Sequence, residues 1–282
     1  MNTIAFPGLS IGPFTISESI NIFGLNIHWY GIIIAFGIVV AYLFCSRMAK
    51  NYDLDSETLL DVVLVGLPAA IVGARLYYVI FEWNEYKDNL LSIFQIWNGG
   101  LAIYGGVIGA LISTYFYCKI KKIKMTKILD TCSFGFLIGQ MIGRWGNFVN
   151  AEAYGSPTNL PWGMEISGEC VHPTFLYESL WNLAIFLILV FIYRKRQKFS
   201  GEMFLAYIAG YGLGRLWIEG LRTDSLWLGP IRVSQLVALL CFIGGISAII
   251  FFRRKAKTTT NITENIESEE VTSEQENNEE NK

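Results

Sequence analysis

The sequence predicts an all-α polytopic membrane protein with seven transmembrane helices, a small extracytoplasmic head and a disordered acidic C-terminal tail. Two observations lead to this fold class. Hydrophobic residues make up 52% of the 282-residue chain while charged residues make up only 16%, and apolar stretches long enough to cross a bilayer recur along it. A soluble domain of this size needs about a quarter of its residues charged. The composition therefore argues against an ordinary cytosolic enzyme.

Seven apolar stretches are the candidate membrane spans: residues 29–48, 59–81, 101–118, 128–148, 174–193, 203–218 and 233–252. The fourth and sixth are rich in glycine and contain arginine, so hydropathy alone ranks them lowest. The loop charges support keeping them, because fifteen Lys and Arg residues follow the first, third, fifth and seventh spans. Cationic loops stay on the cytoplasmic side. We therefore expect the N-terminus outside and the C-terminus in the cytoplasm.

The C-terminal segment differs in composition from the rest of the chain. Residues 258–282 contain eight Glu, one Lys and no aromatic residue. Such a segment buries too little apolar surface to offset the entropy lost on ordering. The sequence therefore predicts a seven-helix transmembrane domain over residues 1–257 and a disordered acidic cytoplasmic tail over 258–282.

Cysteine and histidine usage bears on metals and cofactors. The chain has five cysteines without a CxxC pair and only two histidines, which are too few ligands for a zinc or iron–sulfur site. We therefore expect no metal and no cofactor. The basic residues occur in short runs beside apolar stretches, so no nucleic-acid partner is expected either.

Apart from Arg47 at the cytoplasmic end of the first span, three arginines lie inside the predicted spans: Arg75, Arg144 and Arg215. An arginine at the bilayer centre costs about 2.5–3.5 kcal/mol on insertion scales, so each needs a compensating partner. In the predicted orientation all three fall in the outer third of their spans. Other polar groups at that depth are Tyr30, Tyr104, His172 and Glu178. Convergence at one depth predicts one polar site that faces outwards.

Two of these spans carry most of the predicted site. Arg144 and Asn147 are three residues apart and share a helix face, and Glu152 follows where that helix leaves the membrane. Arg215 and Glu219 are four apart, so they either neutralise each other or help to hold an anion. Guanidinium groups bind phosphate in a bidentate manner, and the phosphates at this depth belong to phospholipids. The pattern favours a phospholipid site open to the outer leaflet.

The sequence resembles the prolipoprotein diacylglyceryl transferases of bacterial plasma membranes. The resemblance covers nearly all seven spans. It rests on six blocks of sequence. The first three are His28-Trp29-Tyr30-Gly31, Gly73-Ala74-Arg75-Leu76 and the glycine-rich block at 104–109. The other three are Gly143-Arg144-Trp145-Gly146-Asn147, which continues to Glu152 with Gly155 shortly after, the block at 172–178, and the block from Tyr211 through Arg215 and Glu219 to Arg222. Tyr104 stands where many members carry histidine, and Ala151 and Ala74 stand where glycine is frequent.

The resemblance implies an activity and its partners. Such proteins transfer the diacylglyceryl group of phosphatidylglycerol to the thiol of a lipobox cysteine in a prolipoprotein signal peptide, releasing glycerol phosphate. It implies phosphatidylglycerol-binding roles for Arg144, Asn147, Gly155 and Arg75, and catalytic roles for Arg215, Glu152, Tyr104, Glu219 and Tyr30. Glu152, Glu219 and Tyr104 are the candidate proton acceptors, and the sequence does not choose between them.

Two other classes of membrane protein are alternatives. A transporter would place polar groups through the full membrane thickness and break helices near the midplane, whereas the inner halves of these spans are nearly free of charge. A membrane hydrolase with a Ser-His-Asp triad would carry a G-x-S-x-G elbow that leads from a strand into a helix. The sequence has this pattern at Gly8-Leu9-Ser10-Ile11-Gly12, but Pro13 follows it at once and no helical pattern does. The placement of charge therefore favours the transferase.

Overall fold

The computed structural model describes residues 2–22 and 25–280, without the side chains of residues 22, 25, 98, 228 and 259–280. Helices make up most of the chain. They are α1 (Trp29–Ala49), α2 (Ser56–Phe81), α3 (Trp83–Tyr86), α4 (Ile103–Lys121), α5 (Met125–Asn150), α6 (Thr174–Ile188), α7 (Glu202–Leu221) and α8 (Val233–Glu280). The strands are β1 (Asn2–Phe6), β2 (Ile11–Ile16), β3 (Ser19–Ile22), β4 (Leu25–His28), β5 (Met164–Ile166), β6 (Glu169–Val171), β7 (Trp227–Leu228) and β8 (Ile231–Arg232).

Five helical segments in the described part of the chain are long and apolar enough to cross a membrane. They are formed by α1, α2, α4, α6 and the part Val233–Thr258 of α8, and they correspond to the first, second, third, fifth and seventh predicted spans. The other two predicted spans fall on α5 and α7, which are helices of 26 and 20 residues. Glycine and charged residues lower the hydropathy of these two helices. The architecture is that of a polytopic membrane protein, and the count of seven spans stays a prediction.

The outward surfaces of the helices are apolar. On α2, for example, Leu64 is 62% and Ile80 is 70% exposed, and Val107 of α4 is 51% exposed. Water would not stabilise such a surface, but lipid chains are as apolar as leucine. The exposed side chains therefore agree with helices that face lipid.

The chain divides into two compact units. The first unit comprises Met1–Val40 and Phe136–Lys282, and the second comprises Ala41–Gly135. In the second unit α2 packs closely on α4. The approach is so close that a Cβ atom on Gly105 would lie only 2.3 Å from the carbonyl oxygen of Gly73. Glycine at both positions lets the two backbones touch, as small residues do where helices pack in membranes.

A small antiparallel sheet belongs to the first unit. Its strand order is β2-β1-β5-β6, and Ile4 of β1 pairs with Ile166 of β5. Ile4, Met164, Val171 and Phe175 form a buried core beneath it. The sequence-based prediction of an all-α chain omitted these strands, because β1 finds its second partner about 160 residues further along the chain.

The last helix reaches into the acidic segment. Helix α8 continues to Glu280, so its second half covers residues for which the sequence predicts disorder. The side chains from residue 259 onward, and residues 281 and 282 altogether, lie outside the described part of the chain. A helix without tertiary packing is marginally stable in water. The disorder of residues 258–282 therefore stays a prediction.

Candidate functional site

The end of α5 carries the first part of the site. Arg144 donates from Nη1 to Oδ1 of Asn147 at 3.2 Å, so the two side chains share a helix face as their spacing predicts. Asn147 in turn donates to Oε1 of Glu152 at 2.9 Å, just beyond the helix. Asn150 donates to the same oxygen at 3.3 Å. A chain of hydrogen bonds thus joins Arg144 to Glu152.

Helix α6 lies between α5 and α7 in the first unit. Ser179 of α6 donates to the carbonyl oxygen of Met141 in α5 at 3.1 Å. On the other side, Trp181 donates to the carbonyl oxygen of Gly210 in α7 at 3.0 Å. The indole ring fills the space beside Gly214, where a Cβ atom would lie 2.1 Å from Nε1. These contacts place the first turns of α6 beside both arginine-bearing helices.

Glu178, in those first turns, binds both arginines. Its Oε2 lies 2.5 Å from Nη2 of Arg144, and its Oε1 lies 2.5 Å from Nη1 of Arg215. Arg222 is further away, with Nη1 at 3.6 Å from Oε1. The Glu178 side chain is only 4% exposed. One buried carboxylate therefore joins guanidinium groups from two helices.

Arg215 and Arg222 have carboxylates of their own. Nη2 of Arg215 lies 2.5 Å from Oε2 of Glu219, which is almost fully buried. Arg222 makes two hydrogen bonds to Asp224, of 2.9 and 2.6 Å. These hydrogen bonds from Arg222 lower the pKa of the Asp224 carboxyl below its usual value. Three arginines thus face three carboxylates, and this group of six residues carries no net charge.

Two further predicted residues border this group. The N–H of Gly155 donates to the carbonyl oxygen of His172 at 3.0 Å, and Gly155 forms a β-bridge with Arg222. A Cβ atom at Gly155 would lie 2.6 Å from Cβ of His172, so only glycine fits without a shift. The Tyr30 ring packs against Gly146, whose Cβ atom would lie 2.6 Å from it. Close packing thus brings Tyr30 beside the helix that carries Arg144.

A narrow opening beside Glu178 and Arg215 contains an unusual polar side chain. It is lined in part by Trp181, Asn182 and Tyr211. Asn182 is 1% exposed, and neither atom of its amide group has a hydrogen-bond partner among the described residues. A buried polar group without a partner costs about 1–3 kcal/mol. Both N–H donors of the Asn182 amide and its acceptor oxygen are therefore without a partner among the described residues.

Arg75 belongs to the second unit and has quite different partners. Its Nε donates to the carbonyl oxygen of Ile93 at 2.8 Å, and its Nη1 donates to those of Gly99 and Gly100 at 2.7 and 3.0 Å. Nη2 donates to the carbonyl oxygens of Ser92, at 2.7 Å, and Gln95, at 3.5 Å. A guanidinium has five N–H donors. All five are used to hold the segment between α3 and α4.

Tyr104, the other predicted residue of the second unit, is the second residue of α4. It is 38% exposed, and its ring centroid lies 6.5 Å from that of Tyr77. The chain enters α4 through the segment that Arg75 holds, and Ala102 donates its N–H to the carbonyl oxygen of Ala74 at 3.1 Å. These contacts fix where the helix begins and hence where Tyr104 lies in this unit.

The structure therefore divides the predicted residues. Those gathered in the first unit are Tyr30, Arg144, Asn147, Glu152, Gly155, Arg215 and Glu219, and those in the second are Arg75 and Tyr104. The sequence placed Glu178 at the right depth but gave it no role. One signal was available: Glu178 is a carboxylate in an apolar span with no cation within a turn on its own helix, so it requires a partner on another helix.

Comparison with known proteins shows the family of this chain. Residues 18–251 match the family model described as prolipoprotein diacylglyceryl transferase. The phosphatidylglycerol–prolipoprotein diacylglyceryl transferase of Finegoldia magna is 50% identical over 235 residues, which cover 83% of this chain and 95% of that protein. The proteins of that name from Clostridioides difficile and Listeria innocua are 45% and 44% identical over 243 and 249 residues, covering 86% and 84% of this chain and 97% and 90% of theirs. The chain belongs to the prolipoprotein diacylglyceryl transferase family.

Proposed function

We propose that this protein transfers the diacylglyceryl group of phosphatidylglycerol to the thiol of a lipobox cysteine in a prolipoprotein, the first step of bacterial lipoprotein maturation. The observation that carries the proposal is the pair of arginines, Arg144 and Arg215, which two helices present to one buried carboxylate at 2.5 Å each. Family membership and the names of the relatives support the same reaction.

Arginine chemistry suits the lipid headgroup. The described contacts of Arg144 and of Arg215 comprise one hydrogen bond and one further ion pair each, which is fewer than the five N–H donors of a guanidinium. The remaining donors are available to the oxygens of a phosphodiester, which guanidinium binds in a bidentate manner. Asn147 and Gly155 lie beside Arg144 and Arg222, and we assign them to the same headgroup site. The binding role that the resemblance implies for Arg75 would require its five carbonyl partners to be released.

The reaction exchanges one bond for another. The cysteine sulfur attacks the carbon of the diacylglycerol moiety that is bonded to the phosphodiester. A C–S bond forms at that carbon while its C–O bond to the phosphate breaks, and glycerol phosphate leaves with the bonding electrons. Negative charge grows on the departing phosphate, and Arg144 and Arg215 stabilise it. The thiol must lose its proton, because the thiolate is the nucleophile. Glu152, Glu219 and Tyr104 are the candidate acceptors, and Tyr30 borders the same site.

The proposal includes a location and an orientation. Five apolar helices and the family indicate a multi-pass protein of the bacterial plasma membrane. We propose seven spans, with the N-terminus outside and the tail in the cytoplasm, because that arrangement puts fifteen cations on the cytoplasmic side. The arginine site then faces the outer leaflet, where a lipobox cysteine emerges after export. Thiol labelling tests this orientation: in cysteine-free protein, Asn89→Cys is expected to label from outside and Lys122→Cys only after permeabilisation. The reverse result would refute it.

The direct test is a transfer assay with purified protein, acyl-labelled phosphatidylglycerol and a lipobox peptide. Wild type is expected to label the peptide at its cysteine. Arg144→Ala and Arg215→Ala are expected to lower kcat/KM at least about 100-fold, as for loss of a charged group that stabilises the transition state. The control is Arg47→Ala, which removes an exposed arginine whose described hydrogen bond goes to the carbonyl oxygen of Leu43. Wild-type rates in either site variant would refute the assignment.

A further inference from the structure

Glu178 has no place in the reaction as described so far, although it is the residue that both arginines contact. It is 3% exposed and lies in the first turns of α6, held between α5 and α7 by Ser179 and Trp181. Its two oxygens face different arginines at the same distance of 2.5 Å. A side chain on the middle helix therefore sets the separation of guanidinium groups that belong to its two neighbours.

The carboxylate also occupies donors that a phosphate would use. Oε1 of Glu178 accepts a hydrogen bond from Arg215, and Oε2 forms an ion pair with Arg144. One anionic group therefore pairs with both guanidinium groups, as a bound phosphate would. The formal charges of Glu178, Glu219 and Asp224 balance those of the three arginines that they contact. A phosphate therefore enters a group of balanced charge, and Glu178 competes with it for the same cations.

We propose that Glu178 is a positioning residue with two effects: it holds the guanidinium groups of Arg144 and Arg215 in register, and it weakens their hold on the phosphate product so that the product leaves. The inference rests on the proposed function. Without Glu178 the two arginines repel each other at close range and lose their common orientation. They also gain one unit of net positive charge, which strengthens the binding of any phosphate-bearing group.

Two substitutions separate the two effects. Glu178→Gln keeps the shape but removes the charge, and its NH₂ group points a donor at one of the arginines, so only one of them keeps its acceptor. Glu178→Asp keeps the charge but lacks the reach to bridge both groups. The readouts are kcat for transfer and the inhibition constant of added glycerol phosphate.

For Glu178→Gln we expect kcat to fall at least about tenfold while the inhibition constant of glycerol phosphate falls about tenfold, because one neighbouring negative charge is gone. For Glu178→Asp we expect kcat to fall while the inhibition constant stays near the wild-type value. Tighter product binding together with slower turnover is not produced by general loss of structure. An unchanged inhibition constant in Glu178→Gln, or an unchanged kcat, would overturn the proposal.

The matched control is another buried glutamate of the first unit. Glu202 is fully buried at the start of α7 and pairs with Arg253 of α8. Glu202→Gln is expected to lower the thermal midpoint without changing the inhibition constant of glycerol phosphate. If it tightened inhibition as Glu178→Gln does, the effect would not be specific to the arginine pair, and the proposal would fall.

Failure of the proposed function would be seen separately. If the wild-type protein transferred no lipid, the function would be wrong, but calorimetric titration of wild type and Glu178→Gln with inorganic phosphate would still test Glu178. Tighter phosphate binding by the variant is expected. Equal or weaker binding would overturn the role of Glu178 whatever the reaction proves to be.

Discussion

The two units place arginine inside apolar helices in two different ways. In the second unit, Arg75 gives all five of its donors to backbone carbonyl oxygens of one neighbouring segment. In the first unit, Arg144 and Arg215 share a carboxylate and keep donors that the described contacts do not use. Neutral acceptors saturate a guanidinium without cancelling its charge, whereas carboxylates cancel its charge without using every donor. The first arrangement suits a structural role, and the second suits the binding of an anion.

Loss of Arg75 should produce the largest structural effect. Arg75→Ala leaves several part-buried carbonyl oxygens without their donors, at a cost of about 3 kcal/mol in total. We expect a lower thermal midpoint and faster chymotrypsin cleavage within the segment Leu90–Phe94. Arg144→Ala should abolish transfer but leave that cleavage rate unchanged. If chymotrypsin cleaved the segment Leu90–Phe94 at the same rate in Arg75→Ala and in wild type, the structural role assigned to Arg75 would be wrong.

Arg222 of the first unit pairs with a carboxylate, whose charge depends on pH, whereas Arg75 of the second unit pairs with carbonyl oxygens, which carry no titratable charge. Because Arg222 lowers the pKa of Asp224, the pair contributes stability above the unfolded-state pKa of about 3.9, and the contribution is lost as pH falls through the lower folded pKa. Asp224 is half exposed, so the contribution is at most about 1 kcal/mol. The difference in thermal midpoint between wild type and Asp224→Asn should be constant from pH 7 to about pH 5 and disappear in stronger acid. A difference that grows on acidification would contradict this.

The smallest expected effect concerns one alanine in each unit. Ala151 follows α5 with a φ of +52°, a left-handed conformation that favours glycine. Ala74 lies inside α2, where glycine weakens a helix. Ala151→Gly should raise the free energy of unfolding by about 0.5 kcal/mol, and Ala74→Gly should lower it by a similar amount or more. Thermal midpoints of the two variants test the opposite signs, and the same sign in both would contradict the expectation.

Much of the helical architecture follows from the sequence. The apolar stretches predicted where the helices lie. The positions of the loop cations were the reason to predict the fourth and sixth stretches as spans, and these stretches form the helices α5 and α7 that carry Arg144 and Arg215. The spacing of Arg144 and Asn147, and of Arg215 and Glu219, correctly predicted local contacts. A spacing of three or four residues predicts contacts between side chains of the same helix and says nothing about contacts between helices.

The remaining features depend on contacts between distant segments. Glu178 contacts arginines on two other helices, and no spacing along one chain shows which helices are neighbours. Arg75 is held by backbone carbonyls, which every residue supplies, so its partners leave no pattern of side chains. The strands β1 and β5 are short and pair over a long separation, and strand preference depends on such pairing. Each of these features required the tertiary structure.

The pairing of β1 with β5 has a consequence for the order of assembly during synthesis. Strand β1 is made first, but the segment that completes its ladder is made about 160 residues later. At ordinary rates of translation the delay is roughly 10–30 s, during which most of the helices have already entered the membrane. Glu178 follows β6 by only seven residues. Closure of the sheet and arrival of Glu178 beside Arg144 therefore belong to the same late step of biogenesis, before Arg215 is made. A nascent chain stopped ahead of that step would contain Arg144 without Glu178.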